Sequence, residues 1–495
     1  MSHTQYEAVI GLEVHAQLAT KTKMFCGCST SYGAAPNTQI CPVCLGLPGA
    51  LPVPNRQAIA LAVRAGLSLG CTLRKSSRFA RKNYYYPDLS KGYQISQFDL
   101  PLNEKGSLEI TTSAGTKRVN LTRIHVEEDA AKNLHGVGAG TDTLVDFNRA
   151  GTPLIEIVGE PELRSAEEAE AYLKALRDIL MFAGVNDGNL EEGSFRCDAN
   201  VSIRPVGQEK FGTRCELKNI NSFKFVRKAI DYEIARQEAI VSSGGTIFQE
   251  TRTWSSTQEK TLSLRSKEEA QDYRYFADPD LPPLVVDDAW LAEIRTTVPE
   301  PIAARRERWQ RELGLTAYDA QVLSAHPRIA EYFEAATSSL ETQRAGKLAK
   351  DNLAKAGAGK RVANFMQAEA LRVVTTNGLE ASFPCSAERL AGLLALVEDE
   401  TINGKIAKDV FADMIATGKA PADIVSSKGL AQVKDTSAIE GTVREVIAKH
   451  PKELASFKAG KTNLKGFFVG RVMGALKGAN PALVNEVLDR VLAEP

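Results

Sequence analysis

Four of the eight cysteines in this 495-residue chain lie within a stretch of nineteen residues. Cys26-Gly-Cys28 and Cys41-Pro-Val-Cys44 form two close pairs with twelve residues between them. Two thiolate pairs joined by a short loop suit the tetrahedral coordination of Zn²⁺, and a site with four protein ligands is structural. The first pair is CxC, where CxxC is commoner, and the alternative is four free or buried thiols. The spacing predicts a structural zinc site.

A second group of candidate residues consists of ionisable side chains in apolar, strand-like runs. Glu13 and His15 are two residues apart in YEAVIGLEVHAQL, so a strand directs both to one face. Glu128 lies in RIHVEED, and Glu156 interrupts LIEIV. A charge in such a run is costly unless it is paired or bound to a metal. Carboxylate oxygens suit Mg²⁺, and His15 is either a ligand or a partner of the ligands. A structural ion pair or a solvated edge strand is the alternative.

Three further segments combine cations, aromatic rings and amides. Such groups are suited to hold phosphate, ribose and the 3′ end of a nucleotide, although polar alternation is also typical of a solvated strand face. The residues concerned are Lys82, Tyr84 and Tyr85 in KNYYYPD, Arg196, Asp198 and Asn200 in EEGSFRCDANVS, and Lys218 in ELKN.

The elements that must position these residues are mostly strands in the first part of the chain. Alternation over 6–18 predicts a strand with an apolar face and a polar face. Similar runs at 107–111, 117–126, 144–147, 153–158 and 198–204 predict further strands. Helices are expected from the Asn55 cap to Gly70, behind a capping box at Ser165, and over about 223–241.

From about residue 298 the pattern becomes helical throughout. ARRERWQRELG predicts a helix that ends at Gly314, and the last helix is expected to begin at Asn480-Pro481. The proline-rich segment DPDLPP breaks regular structure shortly before residue 295. The fold class is therefore predicted as α+β, with a mixed sheet-and-helix part followed by helices.

Composition excludes several classes of protein. Lys plus Arg and Asp plus Glu number 61 each, so the formal net charge is zero. That balance argues against a protein that coats nucleic acid with its whole surface, but not against a local basic patch. No apolar run is long enough to span a membrane, and the amino terminus lacks the features of a secretory signal. A cytoplasmic protein is expected.

Six blocks of this sequence carry a resemblance to a known family. They resemble signature blocks of GatB, the B subunit of the tRNA-dependent amidotransferases, and the carboxy-terminal third resembles that family's YqeY-like helical region. The blocks are GLEVHAQL, KNYYYPDLSKGYQISQFD, HVEEDAAK, DFNRAGTPLIEIV, EEGSFRCDANVSIRP and ELKNINSF.

The resemblance implies a domain plan and an activity. It implies a cradle domain over 1–295, a helical domain over 296–410 and a tail over 411–495, with the YqeY-like region covering about 345–495. The cradle would use ATP and Mg²⁺ to phosphorylate the side-chain carboxylate of Glu-tRNA(Gln) or Asp-tRNA(Asn). Ammonia from an amidase partner, the A subunit, would then yield Gln-tRNA(Gln) or Asn-tRNA(Asn), and the small C subunit would complete a heterotrimer. Zn²⁺ would be structural.

The resemblance also implies roles for individual residues. The Mg²⁺ ligands fall on His15, Glu128 and Glu156, with Glu13 and Asp198 as further catalytic carboxylates. The substrate- and nucleotide-binding set consists of Lys82, Tyr84, Tyr85, Arg149, Thr152, Ser194, Arg196, Asn200 and Lys218.

Two motifs are missing from the sequence. No GxxxxGK[ST] loop occurs, so the nucleotide site is not of the P-loop type. No Gly-rich Ser-Ser-Gly amidase signature occurs outside a helix-ending turn, so the ammonia is expected to come from a partner. The alternatives are a non-catalytic RNA-binding scaffold and a stand-alone metal-dependent kinase or ligase for a small molecule.

The tail carries a local excess of positive charge. Residues 446–480 contain seven Lys or Arg against the single acid Glu453. A solvated helical face is one explanation, and an electrostatic contact with the tRNA body is the other.

Overall fold

The computed structural model describes residues 5–135, 143–266, 272–345, 355–432, 436–476 and 478–494. The chain divides into two compact units, Met1–Arg305 with Asn377–Leu379, and Arg306–Thr376 with Glu380–Pro495. The first unit contains the sheet, and the second is mainly helical. The predicted α+β class is confirmed.

The described residues form nineteen strands. In chain order they are β1 Tyr6–Gln17, β2 Thr72–Leu73, β3 Ser76–Ser77, β4 Ala80–Asn83, β5 Tyr93–Ser96, β6 Asn103–Glu104, β7 Ser107–Thr112, β8 Gly115–Glu128, β9 Lys132–His135, β10 Thr143–Asp146, β11 Pro153–Gly159, β12 Phe195–Pro205, β13 Cys215–Ile220, β14 Glu250–Ser255, β15 Lys260–Ser266, β16 Phe276–Ala277, β17 Leu284–Val285, β18 Thr375–Asn377 and β19 Glu380–Ser382.

Ten of these strands form one sheet around β1. The order is β15-β14-β13-β12-β1-β11-β8-β6-β2, and β7 pairs with β8 outside this path. β1 is antiparallel to both of its neighbours, β11 and β12. The strand predicted first is confirmed as β1, and the five runs predicted after it correspond to β7, β8, β10, β11 and β12. Of these, β10 lies outside the ten-stranded sheet and pairs with β9.

The described residues also form fifteen α-helices. In chain order they are α1 Arg56–Ser68, α2 Ala166–Phe182, α3 Phe223–Ser242, α4 Asp288–Arg295, α5 Ile302–Leu313, α6 Ala317–Leu323, α7 Pro327–Ala345, α8 Lys355–Ala368, α9 Ala387–Glu398, α10 Gly404–Thr417, α11 Pro421–Ser427, α12 Thr436–Lys449, α13 Pro451–Lys458, α14 Lys465–Ala475 and α15 Pro481–Leu492.

The core of the first unit covers the apolar face of β1. Ile10, Leu12 and Val14 are buried there, and helices α1, α2 and α3 contribute their apolar stripes to the same cluster. Period-two alternation leaves Glu13 and His15 on the other face of the strand. The core therefore anchors the back of the sheet, and the polar face remains for chemistry.

Helix ends agree with the predicted caps. The side chain of Asn55 accepts hydrogen bonds from two amides at the start of α1, and Asn480 does the same for α15. α5 ends at Leu313, and Gly314 follows in the left-handed region with φ of +65°. These predicted boundaries are confirmed.

The capping box at Ser165 is confirmed only on one side. Ser165 Oγ accepts from the Glu168 amide at 3.1 Å, as expected for an N-cap. The Glu168 carboxylate, however, accepts from the backbone amide of Arg164 at 2.8 Å and from Lys117 Nζ at 2.8 Å. In a capping box the Glu168 carboxylate would accept from the Ser165 amide. Here it accepts from the amide one residue earlier, in a position where it also pairs with Lys117 on β8.

A small two-stranded hairpin interrupts the helices that follow residue 298, and the residues of its turn, Asn377–Leu379, are grouped with the first unit. β18 and β19 pair with each other, so the prediction of helices only after residue 298 is wrong at this point. Asn377-Gly378 supplies a favoured hairpin turn, and Gly378 has φ of +58°. α12, α14 and α15 enclose a separate apolar cluster around Phe468.

The predicted division at residue 410 falls inside α10, so a boundary at that residue would cut a helix. The three-domain plan stays a prediction. Among the described residues, no helix is both long and apolar enough to cross a membrane.

The N-cap of α2 gives a direct test of the local physics. We expect Ser165→Ala to lower the free energy of unfolding by about 1 kcal/mol, because the Glu168 amide loses its acceptor. Urea unfolding followed by circular dichroism measures the change. Ser256→Ala, at an exposed turn position, is the control and should leave the transition unchanged. An equal shift in both variants would contradict the cap.

Candidate active site and metal centre

The register of three strand pairs collects charged residues on one face of the sheet. His15 on β1 lies opposite Glu156 on β11 and Arg196 on β12. Glu156 in turn lies opposite His125 on β8. Cross-strand neighbours share a face, and alternation then adds the residues two positions away. The polar face comprises Glu13, His15, Arg123, His125, Glu127, Glu156, Arg196, Asp198 and Asn200.

The centre of this polar face is a cluster of two carboxylates and two imidazoles. His15 Nε2 lies 3.3 Å from Glu156 Oε2 and 3.8 Å from Glu127 Oε1. His125 Nε2 lies 3.6 Å from Glu156 Oε2 and 3.7 Å from Glu127 Oε2. One ligand atom from each of His15, Glu127 and Glu156 lies within 4.8 Å of the others. Two carboxylates with an imidazole form a donor set that fits a divalent cation.

Burial and mutual charge perturb these groups strongly. Burial disfavours a charged imidazole, but the hydrogen bond and negative charge of Glu156 outweigh burial and raise the pKa of His15. Burial likewise opposes ionisation of Glu156, yet the charges of His125 and His15 hold its pKa well below the usual range. The cluster thus stabilises two carboxylates close together by surrounding them with positive charge.

The structure corrects the predicted place of Glu128. Glu127, and not Glu128, faces His15 and Glu156, because alternation along β8 turns Glu128 to the opposite side with Ile124 and Val126. The Glu128 carboxylate instead accepts from the Lys91 ammonium and, at 2.9 Å, from the Ile95 amide. Glu128 also lines a cavity whose wall includes Cys44.

Glu13 and Asp198 extend the polar face beside the central cluster. Glu13 lies opposite Asp198 across the β1–β12 pair, and Asn200 Nδ2 donates to Glu13 Oε1 at 3.2 Å. Lys218 Nζ lies 2.8 Å from Asp198 Oδ2 and 3.2 Å from a Glu216 oxygen. Burial, followed by the negative charges of Glu156 and Asp198, raises the pKa of Glu13. These predicted residues are therefore neighbours.

Arg196 is held in place by Asp129 on the same face. Its Nη2 lies 2.8 Å from Asp129 Oδ2, which also accepts from Gln17 Nε2 at 2.8 Å. Burial opposes the charge of Asp129, but Arg196 and Arg149 lower the pKa of Asp129. Within the described residues the Arg196 Nε is buried without a hydrogen-bond partner.

Lys82 and Tyr84 lie beside the central cluster within an aromatic group. The Lys82 ammonium is 4.9 Å from the centre of the Tyr273 ring and 5.9 Å from that of Tyr84. Burial disfavours its charge, but Glu127 and the neighbouring groups raise the pKa of Lys82. Tyr275 stacks on Phe98 with ring centres 4.1 Å apart. This group offers a cation and stacking surfaces.

The other predicted substrate-binding residues have different surroundings. Tyr85 is 89% exposed. Ser194 is buried, with its hydroxyl bonded to Asp187 and to the Asn189 carbonyl, and Thr152 is buried in the turn before β11. Arg149 donates to the carbonyls of Ala130 and Ala131. Their described contacts are within the protein.

The four clustered cysteines converge as their spacing predicts. Their four Sγ atoms all lie within 4.8 Å of one another. Tetrahedral Zn–S bonds of about 2.3 Å would separate the sulfurs by about 3.8 Å, and Cys41 Sγ and Cys44 Sγ are 4.0 Å apart. The hydrogen bond between Cys26 and Cys44 lowers the pKa of Cys44 to about 4 and raises the pKa of Cys26, and burial raises the pKa of Cys28 to about 11. The four thiols therefore fit a zinc ion.

Sequence reasoning missed several residues of these sites. His125, Glu127 and Asp129 alternate with the apolar Ile124 and Val126, and that pattern carried enough information to prefer Glu127 to Glu128. Tyr273 and Tyr275 had no comparable signal, because they reach the site through the pairing of β16 with β4.

Comparison with known proteins identifies the family of this chain. Residues 8–292 match the GatB/GatE catalytic domain, and residues 350–492 match the GatB domain. The chain is 54% identical to the aspartyl/glutamyl-tRNA(Asn/Gln) amidotransferase B subunit of Geotalea uraniireducens (strain Rf4), with 98% of each chain covered. The identity to the protein of the same name from Myxococcus xanthus (strain DK1622) is 51%, with 100% of each chain covered. The chain therefore belongs to the family of B subunits of the tRNA-dependent amidotransferases, which are components of enzymes of the glutamine-hydrolysing ligase type.

Proposed function

We propose that the chain uses ATP to phosphorylate the side-chain carboxylate of glutamate on tRNA(Gln) or of aspartate on tRNA(Asn). The carboxylate oxygen attacks the γ-phosphorus and ADP leaves. Ammonia then attacks the carbonyl carbon, phosphate leaves, and the amide remains on the tRNA. The glutaminase partner, which is the A subunit, supplies the ammonia, the small C subunit joins the heterotrimer, and the reaction takes place in the cytoplasm. Family membership supports this assignment.

The observation that carries the proposal is the convergence of His15, Glu127 and Glu156. These residues would hold Mg²⁺, which neutralises charge on the phosphates of ATP. Glu127 and Glu156 lie close together beside His15 and His125, and two neighbouring buried carboxylates repel each other. A bound cation would offset that repulsion.

The surrounding side chains are suited to the remaining steps. Arg196, oriented by Asp129, places a guanidinium on the polar face, where its positive charge would attract an anionic oxygen. Lys82 and Lys218 supply further positive charge near the carboxylates. Phosphoryl transfer asks the protein mainly to position its reactants and to stabilise charge, so these groups suffice without a covalent residue.

The second part of the proposal is that the four cysteines hold a structural Zn²⁺. All four tetrahedral positions would be filled by thiolates, so the ion has no open position for substrate. Its effect is to fix the loop between the two cysteine pairs.

The third part is that the tail contacts the body of the tRNA. Lys452 and Lys461 are exposed, whereas Lys465 pairs with Asp489 at 2.6 Å. The Lys458 ammonium donates to the Glu494 carbonyl at 2.9 Å, and Lys477 lies outside the described residues. The exposed lysines are thus the better candidates for phosphate contacts.

The first test measures ADP formation by the assembled heterotrimer with and without misacylated tRNA. We expect turnover to require the misacylated tRNA, since its carboxylate is the phosphoryl acceptor. Glu156→Gln and Glu127→Gln should each lower this turnover by about 100-fold or more, because a metal ligand contributes several kcal/mol to the transition state. Binding of tRNA should remain close to that of the wild type.

Glu128→Gln is the matched control for the same assay, since it changes the adjacent carboxylate on the opposite face of β8. We expect it to retain ADP formation. Turnover without any tRNA would favour a stand-alone kinase, and no turnover at all would favour an RNA-binding scaffold. Loss of turnover in Glu128→Gln with retention in Glu127→Gln would instead support Glu128 as the metal ligand, as predicted from the sequence.

Elemental analysis tests the zinc centre. We expect about one zinc ion per purified chain and loss of the ion in Cys41→Ser. Cys385→Ser, which alters a cysteine in the second unit, should keep it. A wild-type chain without zinc and with four titratable thiols in this cluster would refute the assignment.

Salt dependence tests the tail. Lys452→Gln with Lys461→Gln should weaken tRNA binding and lower the slope of log affinity against log salt by about one per lost phosphate contact. Lys405→Gln with Lys419→Gln removes the same charge from an exposed position in α10 and from an exposed position two residues after that helix ends, and this double variant should alter neither quantity. A truncation at residue 410 is less suitable because it would cut α10. Identical affinity and slope in the two double variants would rule out this contact.

A further inference from the structure

Lys23 has an unusual environment for a lysine. Its side chain is completely buried, and no other lysine among the described residues is. Its ammonium lies 3.1 Å from the Phe147 carbonyl oxygen and 3.6 Å from Cys44 Sγ. In the described part of the chain no carboxylate forms an ion pair with it. The anionic group nearest to this buried cation is therefore a cysteine of the candidate zinc centre.

The same residue contacts both cysteine pairs. Its side chain reaches Cys44, in the second pair, and its backbone amide donates to the Cys28 carbonyl at 2.9 Å, in the first pair. Gly151 packs against both residues, since a Cβ there would lie 3.5 Å from Lys23 Cδ and 3.7 Å from Cys44 Cβ, which are ordinary contact distances. Its φ of +83° is what favours glycine at this position. Lys23 is thus connected to both pairs of ligands.

The contact between the Lys23 ammonium and Cys44 would balance charge when zinc is bound. Four thiolates around Zn²⁺ form a doubly negative complex, which is costly to bury without compensation. A buried ammonium without a partner is equally costly. Placing the two side by side reduces both penalties, and an N–H···S bond withdraws electron density from the thiolate. Partners of this kind commonly change metal affinity by about 10–100-fold.

We propose that Lys23 is the charge-neutralising and positioning residue of the zinc centre, and that its ammonium slows the release of the metal by stabilising the Cys44 thiolate. This inference rests on the proposed zinc site. It assigns to Lys23 no role in phosphoryl transfer or in tRNA binding.

The experiment compares zinc release from the full-length wild-type chain with release from Lys23→Met, Lys23→Gln and Lys21→Met. Each protein is mixed with excess chromogenic chelator, and the rate of zinc transfer is recorded. Lys23→Met fills similar space without charge and should release zinc at least about tenfold faster. Lys23→Gln, which keeps a donor but loses the charge, should be intermediate. Lys21→Met, at an exposed position two residues away, should match the wild type.

A second measurement detects the contact independently of the rate. After substitution of Zn²⁺ by Co²⁺, the thiolate-to-metal charge-transfer band should move to lower energy in Lys23→Gln and Lys23→Met, because the sulfur loses a positive neighbour. It should not move in Lys21→Met. If Lys23→Met fails to fold, Lys23→Gln still provides both measurements.

The outcomes distinguish this inference from the zinc proposal. Zinc-loaded wild type with wild-type release rates and an unshifted cobalt band in the Lys23 variants would overturn the role of Lys23 and leave the zinc site intact. A wild-type chain that binds neither zinc nor cobalt at the four cysteines would overturn both. Faster release with a shifted band in the Lys23 variants alone would support the assignment.

Discussion

The antiparallel register of β1 between β11 and β12 is the constraint on which the active-site face depends. This register places His15 between Glu156 and Arg196, and the β11–β8 register then adds His125 and Glu127. A shift of one residue in any of these pairs would send one strand's charged residues into the apolar core. Burial of Ile10, Leu12 and Val14 on the other face of β1 opposes such a shift. The hydrophobic core therefore determines the geometry of the polar cluster.

Buried charges in this unit are stabilised in groups. Glu127 and Glu156 share two histidines, and Asp129 interacts with two arginines. The buried Lys23 ammonium likewise has a partner, Cys44 Sγ. Removing one member of such a group leaves the other charge buried without a partner. The desolvation cost of that charge is larger than the net stability that the pair contributes. Substitutions that preserve shape and change charge by one, such as Glu to Gln, therefore probe these groups most cleanly.

Much of the fold could be predicted because its signals are local. Alternation identified β1, β7, β8, β10, β11 and β12, and the caps Asn55 and Asn480 were recognisable from residue type. The four cysteines were equally evident from spacing. What failed depends on parity or on distant pairing. Glu128 was predicted to face His15, although it shares a side of β8 with the apolar Ile124 and Val126, which lie on the opposite face. The carboxylate of Glu168 accepts from Lys117, which lies on a strand distant in sequence. Tyr273 and Tyr275 could not be placed before β16 was paired with β4.

The two candidate metal centres differ in how they relate to folding. The cysteines are close in sequence, so closing their loop costs little chain entropy and a metal can organise this segment before the sheet is complete. The carboxylate cluster draws on β1, β8 and β11, and His15 and Glu156 are far apart in the chain. It can form only after the non-local strand pairs have formed. Cys44 borders the cavity that Glu128 also lines. The cysteine centre is therefore suited to stabilise the region next to the sheet. The carboxylate cluster is suited to bind a cation reversibly, because the folded sheet already supplies its geometry.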